Sequence, residues 1–385
     1  MEINENWATC LVTASCRLNS MAYLPNMLPG YKNVYFSLTK MFTKFSAVNL
    51  PRARAWVGRG ELYTITDDLI KLAPQKNFEL EQRLACASGA EKFCVTLNGL
   101  SAWCTDFALQ MQSQMMEPLF RALGKAPQCG ADFYSFFGNY GYTPFGVHDD
   151  TDHSLLWHLG PAPKTAYIWP RAAYINLTHG TLATTDYQKL LPYACRIDLK
   201  AGDLLFIPQG DFHILETQKF SATLGLTLFP DDPALECLEG ARLLISSGKT
   251  LSSMGSAVLT LEQLSKLRRL ALQSNGHIIT KPQLGGLSDI KLNNAELQRS
   301  KLRVHPFWPL RHMSLADREV LLVRSRVMLA QANPLFSYLS EALAAGHPVS
   351  FAYLTQRSPG KITTEMITKV VRKIASLGGV VIEPI

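Results

Sequence analysis

Short strand-like runs fill the middle of the chain, from residue 131 to about residue 230. The runs ADFYSFFG, SLLWHL, KTAYIW, CRIDL, DLLFIP, HILET and SATLGLTLF alternate with glycine, proline, asparagine and aspartate. Several short strands separated by turn residues indicate an antiparallel sandwich or barrel. The sequence contains no glycine-rich phosphate-binding loop. We therefore expect a closed or sandwiched antiparallel barrel in this part of the chain.

Helical patterns begin after Pro230. Asp232 and Pro233 have the character of an N-cap and a first helical residue. Thr260 and Gln263 form a capping-box pattern ahead of a leucine-rich run. Further helices are expected from Ser314 to about Asn333, from Pro334 to about Ala345 and from Thr363 to about Leu377, with strands at PVSFAYL and VVIEPI. The last 60 or so residues therefore predict a winged-helix-like module.

The region before the barrel is mixed. YFSLTKMFTKFSAVNL and KFCVTLNGLSAW have the character of strands, and Asp106–Gly124 has helical spacing and ends at a glycine. The predicted fold class is α+β, with a double-stranded β-helix (cupin or jelly-roll) barrel. The predicted domains are a barrel at residues 1–232, a helical and dimerising region at 233–330, and the winged-helix-like module at 331–385.

Composition excludes several classes of protein. The 385 residues include 8 cysteines, none in a Cys-x-x-Cys pair, so we expect reduced, mostly buried thiols and a cytoplasmic protein. No apolar run is long enough for a transmembrane helix. The first residues, MEINEN, do not predict a signal peptide.

The net charge of +7 permits an anionic partner without requiring one. Basic residues cluster at Arg52, Arg54 and Arg59, and again at Lys266, Arg268 and Arg269. Aromatic residues that could stack on bases are not interleaved with these clusters, so nucleic-acid binding is not predicted.

A histidine and two aspartates stand side by side in GYTPFGVHDDTDHSLLWHL. Alternate side chains of a strand share one face, so His148 and Asp150 can point into the barrel together while Asp149 points away. His213, in AGDLLFIPQGDFHILE, would return antiparallel and lie opposite His148. His153, His158 and His179 are rival histidines, of which His158 could support the site from behind.

Two histidines and one carboxylate are the facial triad of non-haem Fe(II) oxygenases, which leaves three metal positions open. The sequence therefore predicts that His148, Asp150 and His213 are metal ligands and form the catalytic centre. Imidazole must be neutral and carboxylate ionised to bind a metal, so binding should fail at acidic pH.

The stretch from FYSFFGNYGYTPFGVHDD to KTAYIW, together with LKAGDLLFIPQGDFHILETQKFSATLGLTL, resembles the JmjC-type cupins, a barrel family of Fe(II)- and 2-oxoglutarate-dependent oxygenases. The motif-bearing likeness covers about 100 residues. The order of elements is most similar to the ribosomal oxygenase branch, in which a helical dimerisation region and a winged helix follow the barrel. The chain departs from the family pattern at Asp149, Trp157, His158 and the long GPAPK turn.

The resemblance implies Fe(II) as cofactor and 2-oxoglutarate as cosubstrate. Lys164 stands where the family has the lysine that binds the distal carboxylate of 2-oxoglutarate, and Tyr134, Thr143 or Ser154 would supply a hydroxyl to the same carboxylate. An ammonium inside a barrel needs an anionic partner, which a dicarboxylate would provide. The alternative is a surface lysine in the GPAPK turn.

The resemblance also implies a hydroxylase that uses O2 and modifies an amino-acid side chain in a protein or peptide, such as a ribosomal protein or the precursor of a peptide natural product. Two alternatives remain open: a hydroxylase of a free small molecule, and a non-catalytic cupin scaffold. The leucine face from Leu261 to Leu270 predicts a homodimer, although it could equally pack within the chain.

Overall fold

A computed structural model describes residues 2–46, 51–72, 79–246, 259–283, 293–315, 318–331, 333–344 and 346–384. The chain divides into two compact units, one of residues 1–126 and 131–230 and the other of residues 127–130 and 231–385. The division after residue 230 lies beside the boundary predicted after residue 232. None of the described helices is long and apolar enough to span a membrane.

The first unit contains the predicted barrel strands. Its strands are β1 (Ala22–Leu24), β2 (Arg52–Val57), β3 (Gly60–Glu61), β4 (Cys94–Asn98), β5 (Ala131–Gly138), β6 (Gly141–Tyr142), β7 (His148–Asp149), β8 (His153–Pro161), β9 (Lys164–Trp169), β10 (Cys195–Leu199), β11 (Leu204–Ile207), β12 (Phe212–Thr217) and β13 (Ser221–Leu228). Its helices are α1 (Trp7–Ala14), α2 (Tyr31–Met41), α3 (Ile65–Leu72), α4 (Leu80–Ser88), α5 (Thr105–Met111), α6 (Glu117–Leu123) and α7 (Arg171–Leu177).

The strands form two antiparallel sheets. The larger has the order β1-β11-β8-β13-β5-β4-β2-β3, and the smaller has the order β10-β9-β12-β6, with β7 also paired to β12. From β5 to β13 the chain passes back and forth between the sheets, with β9 and β10 as neighbours in the smaller one. This winding is the double-stranded β-helix, so the predicted barrel is confirmed by the strand order.

Aliphatic side chains from both sheets meet between them. Leu156 and Leu205 of the larger sheet pack with Ile168, Ile197 and Leu215 of the smaller one. Every residue of β13 is buried, as expected for a strand that is covered on both faces. The strands are held at a fixed spacing by this packed layer, so residues that point inward keep a defined separation.

Two predictions about the first unit have different outcomes. The helix predicted at Asp106–Gly124 is confirmed: the chain is helical from Thr105 to Leu123, with a π-helical segment at Gln112–Met116, and Gly124 ends it with φ 78°. The strand predicted from Tyr35 is wrong, because α2 occupies Tyr31–Met41. Val34, Leu38 and Met41 are buried at helical spacing, so one face of the helix packs on the core. Residues 47–50 of that prediction lie outside the described part.

All eight cysteines are free, as predicted. The expectation that they are mostly buried is wrong, because only Cys94 and Cys129 are buried, whereas Cys16, Cys86 and Cys195 are exposed.

The second unit combines helices with two small sheets. Its helices are α8 (Pro233–Ser246), α9 (Leu261–Gln273), α10 (Asn294–Gln298), α11 (Leu335–Ala342), α12 (Phe351–Gln356) and α13 (Thr364–Ser376). Its strands are β14 (Ser300–Arg303), β15 (Arg311–Leu315), β16 (Arg318–Val323), β17 (Arg326–Gln331), β18 (Val349–Ser350) and β19 (Val381–Pro384). The sheets have the orders β18-β14-β19 and β15-β16-β17. The capping box at Thr260 and Gln263 is confirmed.

The helix predicted from Ser314 to Asn333 is wrong. Ser314 lies in β15, and β16 and β17 form a hairpin, while Asp317 lies outside the described residues. Val320–Val323 of β16 are all buried, and such a continuous apolar run cannot be told from a helix by periodicity. The hairpin turns at Arg324 and Ser325, whose φ angles of 49° and 58° are uncommon for these residue types. The region at 233–330 is therefore helical only in part.

The C-terminal prediction is right in its helices and wrong in one strand. PVSFAYL forms only the two-residue strand β18 before α12 begins, because the Ser350 side chain caps that helix by accepting a hydrogen bond from the Tyr353 backbone. The small sheet also takes β14 from before the predicted boundary at residue 331. A winged helix in this module stays a prediction.

The leucine face of α9 packs against other elements of its own unit. Leu267 is buried, and Leu264 and Leu270 pack with it against residues of α8, β15 and β16. Only Leu261 is strongly exposed. The face that suggested a homodimer therefore packs inside the unit, and the homodimer stays a prediction.

Candidate functional site

The two strands that carry the predicted ligands pair with each other. β7 and β12 are antiparallel, with His213 opposite His148 and Phe212 opposite Asp149. Side chains alternate between the faces of a strand, so the two histidines point into the barrel. The prediction that His213 returns opposite His148 is confirmed.

His148, Asp150 and His213 form a compact group. Their potential ligand atoms all lie within 4.8 Å of one another. The Nε2 atoms of His148 and His213 lie 3.9 Å and 3.6 Å from the Asp150 carboxylate oxygens. Two imidazoles and one carboxylate around a common point can hold one divalent transition metal with further positions left open.

Backbone carbonyls orient both imidazole rings. Nδ1 of His148 lies 3.1 Å from the Gly146 carbonyl oxygen, and Nδ1 of His213 lies 3.2 Å from that of Asp211. A carbonyl oxygen only accepts, so each Nδ1 carries the hydrogen and donates it. The lone pair is then on Nε2, the atom that faces Asp150, as in protein sites where the second ring nitrogen fixes the ligand tautomer.

Burial sets the charge state of the group. It lowers the pKa of His148 to about 4, with the neighbouring His213 acting in the same direction. Burial also lowers the pKa of His213 and raises that of Asp150. Both imidazoles are therefore neutral at pH 7, the state in which imidazole binds a metal.

A cavity of about 370 Å³ extends from the three residues into the barrel. Its lining comes from both sheets, including β2 and β4 of the larger sheet. The lining residues are Arg54, Trp56, Thr96, Asn98, Tyr134, Phe136, Phe145, His148, Asp150, Asp152, Ser154, Leu156, Lys164, Leu199, His213, Leu215, Thr223 and Thr227.

Lys164 is a buried cation in this cavity. Lys164 is only 2% exposed, and its Nζ donates a hydrogen bond of 2.9 Å to Thr223 Oγ1. No carboxylate among the described residues forms an ion pair with it, and burial lowers its pKa to about 8. The alternative of a surface lysine is therefore wrong. An unpaired buried charge is costly, so the site favours an anionic partner.

The three hydroxyl residues predicted beside Lys164 lie in different places. Tyr134 and Ser154 line the cavity and their hydroxyl oxygens are 2.8 Å apart. Thr143 is buried outside the lining, where its Oγ1 accepts a long hydrogen bond of 3.4 Å from the Leu215 backbone. The hydroxyl that contacts Lys164 is that of Thr223.

From the sequence, Thr223 was not predicted as a cavity residue, although the residue pattern of its strand indicates this position. In SATLGLTL, small or polar residues alternate with Ala222, Leu224, Leu226 and Leu228. A period of two marks two faces of a strand. The polar face, which includes Thr223 and Thr227, is the one that lines the cavity.

The glycine of that face makes room for Tyr134. A Cβ added at Gly225 would lie 2.2 Å from Cζ of the Tyr134 ring. The ring therefore lies across Gly225, and its hydroxyl reaches Ser154 because nothing larger stands beneath it. A side chain at this position would have to displace a ring that forms part of the cavity wall.

We expect Gly225→Ala to destabilise the protein by about 1–3 kcal/mol, because the ring must leave its position in a packed interior. Chemical denaturation followed by circular dichroism measures this change. Gly60→Ala is the matched control, because the nearest atom to its added Cβ is 3.7 Å away. Equal stability of the two variants would contradict the close approach of Tyr134 to Gly225.

The outer part of the cavity was not predicted. Phe145 packs edge-on against His148, with ring centroids 4.6 Å apart, and Trp56 packs on Phe145 at 5.3 Å. Arg54 lies over the Trp56 ring and forms a salt bridge of 2.8 Å with Glu61. Arg54 and Trp56 come from β2, far from the metal motif in sequence, so no local pattern connects them to it, whereas Phe145 lies three residues before His148.

The remaining residues of the motif lie elsewhere. Asp149 points outward, where Oδ2 lies 2.5 Å from Arg171 Nη1, as predicted for a residue that is not a ligand. His158 is buried and its Nε2 lies 2.8 Å from the Ala162 carbonyl oxygen. His153 accepts a hydrogen bond from the Gln209 backbone. Neither these two nor His179 belongs to the metal-holding group.

Comparison with known proteins gives likenesses of structure only. No protein-family model and no curated protein matches the chain. Among solved structures, it is similar to Escherichia coli ycfD, with 13% identity, a TM-score of 0.49 and coverage of 99% of both chains. The chain is also similar to a structure of YcfD, a ribosomal oxygenase from Escherichia coli, in complex with cobalt and 2-oxoglutarate. The identity is 13%, the TM-score is 0.45, and the match covers 94% of both chains.

A third similar structure is that of SnoK, a non-heme alpha-ketoglutarate-dependent carbocyclase from nogalamycin biosynthesis. It has 12% identity and a TM-score of 0.37, and the match covers 60% of this chain and 87% of SnoK. The strand order of the two sheets assigns the fold by itself. The first unit is therefore a double-stranded β-helix that carries a His-Asp-His group and a buried lysine in one cavity.

Proposed function

We propose that this protein is an Fe(II)- and 2-oxoglutarate-dependent oxygenase of the JmjC type, most similar to the ribosomal oxygenase branch, which hydroxylates an amino-acid side chain in a protein or peptide. One observation carries the proposal. A single cavity holds a group of ligands for one metal, His148, Asp150 and His213, and a buried ammonium, Lys164, that lacks an anionic partner among the described residues.

The residues fit the two groups by their chemistry. Neutral imidazole and carboxylate suit Fe(II), and a dicarboxylate could reach the metal with one end and Lys164 with the other. When bound, the iron and the cosubstrate would supply the oxidation of a substrate C–H bond by O2, with 2-oxoglutarate converted to succinate and CO2. The protein would supply ligands, orientation and exclusion of water.

Specific residues would perform these tasks. Lys164 would bind the distal carboxylate, and Thr223, which already accepts a hydrogen bond from Nζ, would fix the ammonium in place. The hydroxyl oxygens of Tyr134 and Ser154 lie 2.8 Å apart in the same cavity and offer two further hydrogen-bonding groups there. The carboxylate oxygens of Asp150 lie 3.9 Å and 3.6 Å from the two imidazole Nε2 atoms, so the three side chains would hold one metal ion together.

The outer part of the cavity supports a macromolecular substrate. Trp56 and Phe145 form an aromatic wall beside His148, and the Arg54 side chain at the same wall is 57% exposed. The cavity therefore reaches solvent at this side and could admit one side chain of a larger molecule. A ribosomal protein and the precursor of a peptide natural product are the candidate substrates, with the C-terminal module as a docking surface and a homodimer as the assembly.

The test is succinate release with Fe(II) and 2-oxoglutarate in the presence of candidate peptides, with mass spectrometry for the gain of one oxygen atom. Oxidised peptide would support the proposal. Oxidation of free small molecules alone would favour the alternative hydroxylase. Metal binding without any 2-oxoglutarate turnover would favour the non-catalytic scaffold.

Cosubstrate affinity should depend on pH through Lys164. Burial lowers its pKa to about 8, so the ammonium is present below that pH and is lost as pH rises through it. Only the charged form attracts a carboxylate, so the Kd for 2-oxoglutarate should rise between pH 7 and pH 9. Titration of the metal-loaded protein under nitrogen measures this. A Kd that stays constant to pH 9 would contradict the role of Lys164.

A further inference from the structure

We propose that helix α7 is an outer clamp of the metal site, in which Arg171 and Tyr174 hold the two ligand-bearing strands in metal-binding geometry. The inference rests on the metal site of the proposed function and does not depend on the cosubstrate or the reaction. Arg171 and Tyr174 would be positioning residues, because neither touches the cavity.

The register of β7 and β12 gives each ligand an outward-facing neighbour. His148 pairs with His213 on the inner face, and Asp149 pairs with Phe212 on the outer face. Asp149 lies between His148 and Asp150 in sequence, and Phe212 directly precedes His213. A shift of either outward-facing residue therefore moves the backbone of a ligand.

Arg171, the first residue of α7, contacts both strands. Its Nη1 lies 2.5 Å from Asp149 Oδ2, and its backbone N–H donates a hydrogen bond of 3.2 Å to Asp211 Oδ1. The carbonyl oxygen of the same Asp211 accepts from Nδ1 of His213 at 3.2 Å. One residue of α7 is thus joined to the neighbour of two ligands and to the residue that orients the third.

Tyr174 anchors the helix on the second strand. Its ring stacks on that of Phe212, with centroids 3.8 Å apart and an interplanar angle of 10°, and the residue is fully buried. The guanidinium of Arg171 lies on the same Phe212 ring, 5.8 Å from its centroid. The contacts of α7 therefore converge on one registered pair, Asp149 and Phe212.

The Arg171–Asp149 ion pair is a poor candidate for a stabilising element. The side chains are 54% and 31% exposed, and exposed ion pairs add little to folding stability. Its position is specific, however, because it is attached to the backbone between two ligands. A clamp predicts an effect on metal affinity, whereas an ordinary surface pair predicts none.

The test is titration of the metal-free protein with Co(II), followed by the visible absorption of the bound ion. Arg171→Gln should weaken Co(II) binding about tenfold, the lower end of the cost of losing a residue that supports metal ligands. Loss of a positive charge beside a cation would by itself strengthen binding, so weakening reports on geometry. The melting temperature of the metal-free variant should match that of the unchanged protein.

A double variant separates contact from charge. Arg171→Gln with Asp149→Asn restores the original net charge but not the contact, and should still bind Co(II) weakly. Arg196→Gln is the matched control, because it removes an exposed pair with Asp198, 3.1 Å apart, from β10 of the same sheet. The control should bind Co(II) as the unchanged protein does.

Two results would overturn the clamp. One is a Kd for Co(II) in Arg171→Gln that equals or falls below that of the Arg196→Gln control. The other is recovery of full affinity in the double variant, which would show that the contact is not needed and that the unpaired Asp149 carboxylate caused the loss. If the unchanged protein binds Co(II) normally in these cases, the metal site of the proposed function stands and only the clamp fails. No Co(II) binding by the unchanged protein overturns both.

Discussion

Replacing Asp150 with asparagine is expected to abolish turnover and to weaken metal binding by on the order of 100-fold or more, because the loss removes a ligand rather than a residue that supports one. The carboxylate lies 3.9 Å and 3.6 Å from the two imidazole Nε2 atoms and is the anionic member of the group. A neutral amide keeps the size of the side chain but loses its charge. Co(II) titration and succinate release measure the two effects.

Asp186→Asn is the matched control for this variant. Asp186 is exposed in the same unit, and its side chain forms no ion pair with the described residues, so the substitution makes the same change of charge away from the cavity. The control should retain metal binding and turnover. Asp150→Asn with the affinity and turnover of the control would show that Asp150 is not a ligand.

Replacing Lys164 with methionine is expected to raise the Kd for 2-oxoglutarate about 10- to 100-fold while making the cosubstrate-free protein more stable. The loss in affinity corresponds to about 1.5–3 kcal/mol for a hydrogen bond to a charged group. The gain in stability follows because Lys164 is a cation only 2% exposed, without an ion pair among the described residues. An apolar side chain of similar length removes that cost.

Opposite changes in binding and stability distinguish a cosubstrate residue from a structural one. Binding is measured by titration of the metal-loaded protein under nitrogen, and stability by thermal unfolding of the free protein. Lys189→Met, at an exposed lysine of the same unit, is the control and should alter neither strongly. A lower melting temperature for Lys164→Met together with an unchanged Kd would mean that Lys164 only supports the fold.

The barrel could be predicted because its strands carry local signals. Strands β5 and β8 to β13 each have an apolar run or an alternation with a period of two, and turn residues separate the runs. Two of the candidate ligands could be predicted for the same reason: His148 and Asp150 are two residues apart, and a period of two places them on one face. The hairpin of β16 and β17 could not, because Val320–Val323 of β16 form a continuous buried apolar run without a strand period, and the turn lies at Arg324 and Ser325.

The contacts in the wall of the cavity could not be predicted from local sequence patterns. Trp56 meets Phe145, and Lys164 meets Thr223, only because strands distant in the chain become neighbours in the folded sheets. Tyr134 of β5 reaches Ser154 of β8 across the strand between them, because Gly225 of β13 has no side chain. Each contact joins residues that are far apart in the chain, so neither local sequence pattern predicts the contact.

The sequence by itself determined the strand pattern of the barrel and the choice of His148 and Asp150 as candidate metal ligands, because both follow from the alternation of side chains along a strand. Only the tertiary structure decided that Lys164 is buried without an ion pair among the described residues, that Thr223 rather than Thr143 contacts it, and that α7 covers the outer face of the ligand strands. The physical reason is that burial, charge pairing and packing depend on which strands become neighbours, and this is set by the whole fold.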